Sequence, residues 1–209
     1  MEISQSGTFT DPRDGKTYRT VRIGKQVWMS ENLNYPVSGS KCYGDVTYNC
    51  AKYGLLYSLE AAKKACPSGW HLPTREEWQI LIGYAGDDVA GLKLKAKSGW
   101  PTCDVLEERY IVEPYGTSDI YELSQYEIEI IKSMPGWPNS YSYGGTDEYG
   151  FSALPGGRGF SGGSFDYVGN YGSWWSATNA DYLCMGSWWD IEWLSYGTGG
   201  LFSVRCVRD

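Results

Sequence analysis

Ala65-Cys66-Pro67-Ser68-Gly69-Trp70-His71-Leu72-Pro73-Thr74-Arg75-Glu76-Glu77-Trp78 closes one helix and opens another. Proline at 67 and glycine at 69 do not continue a helix, so the segment before them ends there. That segment, Leu55 to Ala65, carries Leu56, Leu59, Ala62 and Ala65 on one helical stripe, with Glu60 and Lys64 a turn apart on the wet side. Downstream, Thr74 with Glu77 at the third helical position is a capping box, in which the hydroxyl and the carboxylate each satisfy an orphan backbone N–H. The helix it opens turns Trp78, Leu81, Ile82 and Ala85 inward. His71, the single histidine, precedes this capped helix, where a hydrogen-bonded structural role is expected rather than that of a base or ligand.

Outward from these helices the chain reads as strands. Within Thr8 to Tyr35, Thr17 to Ile23, a Gly24-Lys25 turn and Gln26 to Met29 describe a hairpin. From Gly86 onward, short strand-length pieces alternate with glycine-rich punctuation, the composition of irregular β structure with long loops. Residues 101–136 stand apart. They hold eight acids (Asp104, Glu107, Glu108, Glu113, Asp119, Glu122, Glu127 and Glu129) against Arg109 and Lys132, and so most of the chain's net charge of −7. Their pattern fits a helix capped by Ser118 or a strand over Tyr126-Glu127-Ile128-Glu129-Ile130, and they are expected to form an insertion.

With 27 glycines, 16% aromatic and 21% charged residues, the chain is neither an all-helical bundle nor disordered. Its 209 residues are within reach of a single domain over 1–209, which at this size buries roughly 70% of its unfolded surface. No basic patch is visible that would hold nucleic acid. No apolar run approaches the roughly 20 residues needed to span a bilayer, and Met1-Glu2-Ile3-Ser4-Gln5 lacks the regions of a signal peptide, which leaves a removed leader open. The six cysteines admit 15 pairings. Cys42 and Cys50 close a short turn-prone loop that suits a local bridge, as in proteins of oxidising compartments; reduced thiols are the alternative, and no C-x-x-C spacing argues for zinc.

Five of the ten tryptophans lie between Trp174 and Trp193. Trp and Tyr cover much area at low entropic cost and carry a polar handle, so the stretch reads as a recognition surface, with Trp174 and Trp175 in the core. Alternation along an extended segment puts Tyr182, Cys184, Gly186 and Trp188 on one side and Leu183, Met185, Ser187 and Trp189 on the other. The Leu183 side is expected to pack inward. Tyr182 and Trp188 would then face out, joined by Asp190, Glu192 and Trp193, with Asn179, Asp181 and Tyr196 as the polar rim.

The opening stretch resembles the Fibrobacter succinogenes major paralogous domain. Further blocks agree in order: Asp14-Gly15-Lys16-Thr17-Tyr18, Gln26-Val27-Trp28-Met29-Ser30-Glu31-Asn32-Leu33, Gly150-Phe151-Ser152-Ala153-Leu154-Pro155-Gly156-Gly157, Trp174-Trp175-Ser176-Ala177-Thr178 and Ser203-Val204-Arg205-Cys206-Val207-Arg208-Asp209. In that family Lys97-Ser98-Gly99-Trp100 would run directly into the block from Gly145 to Phe151, which marks 101–136 as the added segment. The family is similar to the C-type-lectin-like fold shared with formylglycine-generating, sulfatase-modifying enzymes and with target proteins of diversity-generating retroelements. The resemblance therefore implies an α+β domain, two helices around a small, twisted, mostly antiparallel sheet with long irregular loops. It also implies a Cys66–Cys206 bridge first and Cys42–Cys50 second. Cys103 and Cys184 lie outside the family pattern, either bridged to each other or free.

The same resemblance implies what the chemistry is not. Calcium-dependent lectins show Glu-Pro-Asn or Gln-Pro-Asp with Trp-Asn-Asp, whereas this chain has Glu113-Pro114-Tyr115 and Trp189-Asp190-Ile191; Asp147 and Glu148 are the candidates for a structural calcium. The sulfatase-modifying relatives bind copper through a close cysteine pair near the C-terminal end, where only Cys184 lies. The expectation is a non-catalytic domain without a cofactor, receptor- or adhesin-like, outside the cell or on its surface. Residues 173–202 would meet an extracellular glycan or protein and could be diversified by a retroelement. A structural adhesive module with a buried aromatic run is the runner-up and an oxidase the third reading; a phage particle or the cytoplasm are the alternative locations.

Overall fold

In a computed structural model, the structure describes residues 5–104, 110–111, 120–121, 140–142, 144–186 and 191–209, with side chains over 5–101, 144–186 and 191–209. The chain forms two compact units: Met1–Pro101 with Gly144–Asp209, and Thr102–Tyr143. The smaller unit takes in the acidic segment. Its described strands are β7 (Thr102–Asp104), β8 (Tyr110–Ile111), β9 (Ile120–Tyr121) and β10 (Ser140–Ser142), with β7 antiparallel to β10 and β8 to β9. The expected cap at Ser118 and the strand at 126–130 lie outside the described residues.

The larger unit opens with β1 (Ser6–Thr10), β2 (Thr17–Ile23) and β3 (Gln26–Met29), followed by β4 (Ser40–Lys41), α1 (Thr47–Tyr53), β5 (Leu56–Tyr57) and α2 (Leu59–Ala65). After β6 (Trp70–His71) come α3 (Arg75–Ala85) and α4 (Ala90–Leu94). The described elements of the C-terminal part are all strands: β11 (Arg158–Phe160), β12 (Phe165–Asp166), β13 (Tyr171–Trp175), β14 (Asp181–Gly186), β15 (Ile191–Ser195), β16 (Gly200–Ser203) and β17 (Val207–Arg208). These make a five-stranded sheet ordered β1-β2-β3-β17-β6 and an eight-stranded sheet ordered β12-β11-β16-β13-β14-β15, with β5 added to β16 and β4 to β5. The pairings are antiparallel except β13 with β16, where Trp174 meets Ser203. The described part of the larger unit is α+β, with four α-helices and two mostly antiparallel sheets rather than two helices around one small sheet.

The expected hairpin is present, with Ile23 opposite Gln26 across Gly24-Lys25. The first expected helix begins later than its stripe implied. Leu56 and Tyr57 are extended, fully buried and paired with Ser203 and Phe202, and the helix starts only where the Ser58 side chain accepts from the Ala61 N–H. A two-residue strand buried on both faces has no period of its own, so its apolar residues merge into the following helical stripe. The capping box of α3 is complete. Trp78, Leu81 and Ala85 are buried as expected, while Ile82 is only half-buried. Cys50 belongs to α1 rather than to a loop.

Two aromatic clusters fill the larger unit. Trp28, Trp78, Phe151 and Trp174 pack under α3, with Trp28 and Trp78 4.8 Å apart and Trp78 and Trp174 6.5 Å apart. Behind the eight-stranded sheet, Phe202 stacks on Tyr182 at 4.1 Å and meets Trp175 at 4.5 Å. Disulfides join Cys42 to Cys50 and Cys66 to Cys206. The longer bridge ties the end of α2 to Val204-Arg205-Cys206, the segment that carries the chain from one sheet to the other. Among the described residues no helix is long and apolar enough to cross a membrane.

Candidate functional site

The register of β14 decides which residues of the aromatic run can form one surface. Leu183 stands opposite Trp174 on β13 and Trp193 on β15, whereas Tyr182 stands opposite Trp175 and Leu194. Directly opposed residues share a face. Asp181, Leu183, Met185, Trp193 and Ile191 therefore lie on the α3 side of the sheet, and Tyr182, Cys184, Glu192 and Leu194 on the other. Both sides of β14 are covered. Tyr182 is 2% exposed and stacked on Phe202, so it does not face out as expected; its ring fills the core that Phe202 and Trp175 share. Over Tyr182 to Gly186 the alternation holds, but a central strand between two packed layers offers no open side. Trp188 and Asp190, with Ser187 and Trp189, lie outside the described residues.

The open positions are on β15, the edge of the eight-stranded sheet. Trp193 is half-buried, with the Arg75 guanidinium 4.6 Å from its ring centre. Arg75 Nη1 in turn donates to Asp181 Oδ2 at 3.0 Å, and the Arg75 backbone N–H donates to Thr178 Oγ1 at 3.1 Å. The first residue of α3 thus pins Asp181, the β13–β14 turn and Trp193 together. Asn179 is exposed in that turn with φ 51°. Beside Trp193 lies a groove of about 520 Å³ lined by Gln79, Ile82, Asp87, Asp88 and Ile191. Glu192 and Tyr196 are exposed, and Tyr196 packs 5.3 Å from Phe160. Because Glu192 is opposite Cys184, it points away from this groove, so Glu192 and Trp193, expected to join one face, lie on opposite sides of β15. Arg75 was visible only as part of a helix start; no sequence signal places it against residue 193.

The other singled-out groups are held by protein partners. His71 Nδ1 lies 2.5 Å from Asp209 Oδ1 and Nε2 lies 2.7 Å from Glu77 Oε1. Asp147 accepts from the Ser152 N–H and hydroxyl, both at 2.7 Å, while Glu148 pairs with Lys93, so the two calcium candidates are turned to different partners. Among the described residues no group of three or more His, Cys, Asp or Glu side chains is placed to hold a metal ion. Cys184 is a free, buried thiol, which removes the bridge to Cys103; its Sγ accepts from the Ser173 hydroxyl at 3.8 Å. Burial pushes its pKa up to about 11, so at neutral pH it is a thiol rather than a thiolate.

The class these features define is a disulfide-tied α+β domain whose open edge strand carries a braced tryptophan. The chain belongs to the Fibrobacter succinogenes major domain family, whose model matches residues 21–208. No curated protein and no solved structure matches it.

Proposed function

We propose that this domain is a non-catalytic, receptor- or adhesin-like binding module of the C-type-lectin-like kind, which meets a glycan or protein through the groove between α3 and β15. The supporting observation is Trp193, held on an edge strand by Arg75, which Asp181 anchors. A ring braced on one side by a cation loses little freedom when its other surface takes up a sugar face or an apolar side chain. Gln79, Asp87 and Asp88 supply amide and carboxylate groups beside it for hydroxyl or N–H partners. The oxidase reading has less support, because it needs paired thiolates and Cys184 is a buried, protonated thiol. Two disulfides support a place outside the cell or on its surface. Within residues 173–202, retroelement diversification would have room at exposed Asn179, Glu192, Leu194 and Tyr196, and little at buried Trp174, Trp175, Leu183 and Met185.

The test is a panel of immobilised glycans and surface proteins probed with wild type, Trp193→Ala and Tyr182→Ala. Trp193→Ala should cut binding at least tenfold while moving Tm by no more than about 3 °C, since 1 kcal/mol corresponds to about 2–4 °C in a domain of this size. Tyr182→Ala, which empties a core site, should cost roughly 3–5 kcal/mol in urea unfolding. Unchanged binding by Trp193→Ala would defeat the proposal.

A further inference from the structure

We propose a second binding site, for an acidic oligosaccharide, in the cleft that α1, the β2–β3 hairpin and the chain after α4 enclose. The cleft has a volume of about 910 Å³, in the range of pockets that hold ligands of several hundred daltons. Five cations line it, Lys16, Arg19, Lys52, Lys97 and Arg205, against Glu31 and Asp147. Both acids are already engaged. Glu31 accepts from the Arg19 backbone N–H at 2.8 Å and from its Nε at 3.1 Å, and Asp147 is taken up by Ser152.

None of the remaining four cations forms an ion pair with a carboxylate among the described residues. Lys16 Nζ donates to the Asn34 carbonyl at 2.6 Å, and Lys52 Nζ lies 4.8 Å from the centre of the Tyr53 ring. Lys97 is exposed and makes no ion pair among the described residues. Arg205, 1% exposed, donates from Nε and Nη2 to Asn32 Oδ1 at 3.0 and 2.7 Å and from Nη1 to the Phe151 carbonyl. Among the described residues no carboxylate forms an ion pair with it, and Glu31 and Asp147 act on its charge only through space. Gly54 lets the end of α1 close on this network: its φ is 80°, and a Cβ there would sit 2.8 Å from Asn32 Cβ.

A concave, partly dry wall with unmatched positive charge, on a chain of net charge −7, concentrates anions. Burial makes the Arg205 charge costly, the nearby Glu31 and Asp147 carboxylates offset only part of that cost, and an anion in the cleft adds to their effect. Thr17, Ser30, Thr47 and Ser98 also line the space, and a wall that mixes hydroxyl-bearing residues with spaced cations suits the hydroxyl-rich, intermittently charged surface of a uronate or sulfated sugar better than a compact inorganic anion.

Calorimetric titration with trigalacturonate and a heparin tetrasaccharide, with maltotriose and pyrophosphate alongside, tests this. At least one acidic sugar should bind, more weakly by threefold or more when NaCl is raised from 50 to 300 mM, and maltotriose should not. Lys52→Glu and Lys97→Glu should each weaken binding tenfold or more without changing Tm, while Trp193→Ala leaves it unchanged. No binding of either acidic sugar, or pyrophosphate binding as tightly as the sugars, overturns the ligand class. Unchanged affinity in both charge-reversed variants overturns the location.

Discussion

His71 is held between two carboxylates, one on α3 and one at the last residue of the chain. Burial of the ring opposes its charge, but the hydrogen bonds to Asp209 and Glu77 outweigh this and raise its pKa above the ordinary value. A neutral imidazole has one N–H and would turn its lone pair towards the second carboxylate, so the charged form fits both. Because the folded value lies above the unfolded value of about 6.5, this stabilisation is fully present below about pH 6.5 and is lost as pH rises through the folded value. Wild-type Tm should therefore fall from pH 6 to pH 8.5, and His71→Gln should flatten that part of the profile. With one histidine in the chain, its Cε1–H NMR signal reports the folded value directly. A profile unchanged in His71→Gln would show that the clamp contributes nothing. The structural role expected for His71 matches these contacts; the partnership with Asp209, 138 positions away, had no signal in the sequence.

At the scale of elements, α3 is the unit whose local chemistry is most complete. Thr74 Oγ1 accepts from the Glu77 N–H at 3.2 Å, and Glu77 Oε2 accepts from the Thr74 N–H at 2.8 Å, while the other oxygen of the same carboxylate meets His71. Thr74→Ala should cost about 1 kcal/mol in urea unfolding, and Thr74→Ser should recover most of it. A loss near zero would mean that the tertiary contacts of Trp78 hold the helix start alone. The cap and the β2–β3 hairpin were legible because residues within a few positions of one another satisfy their own backbone groups. β5 was not legible: two residues paired with Phe202 and Ser203 owe their conformation to partners 145 to 147 positions later. β14 failed in another way, since alternation predicts opposite faces but not what covers them.

For the whole molecule, the Cys66–Cys206 bridge spans 140 positions and fastens α2 to the crossover between the sheets. In the chain-entropy treatment, closing so long a loop contributes on the order of 4–5 kcal/mol. Cys66→Ala with Cys206→Ala should lower unfolding stability by about that much under non-reducing conditions, whereas Cys42→Ala with Cys50→Ala, which opens a loop of separation 8, should cost less. Equal losses for the two pairs would contradict the loop-length argument. The sequence by itself determined the α+β class, the family, the hairpin and the capped helix, because these rest on contacts between near neighbours or on motifs in a set order. Only the tertiary structure decided that Tyr182 belongs to the core, that Arg75 braces Trp193, and that cations at 16, 19, 52, 97 and 205 line one cleft in a chain whose sequence shows no basic run. Burial and charge density depend on distances between residues far apart along the chain, and strand register and the inter-sheet crossover set those distances.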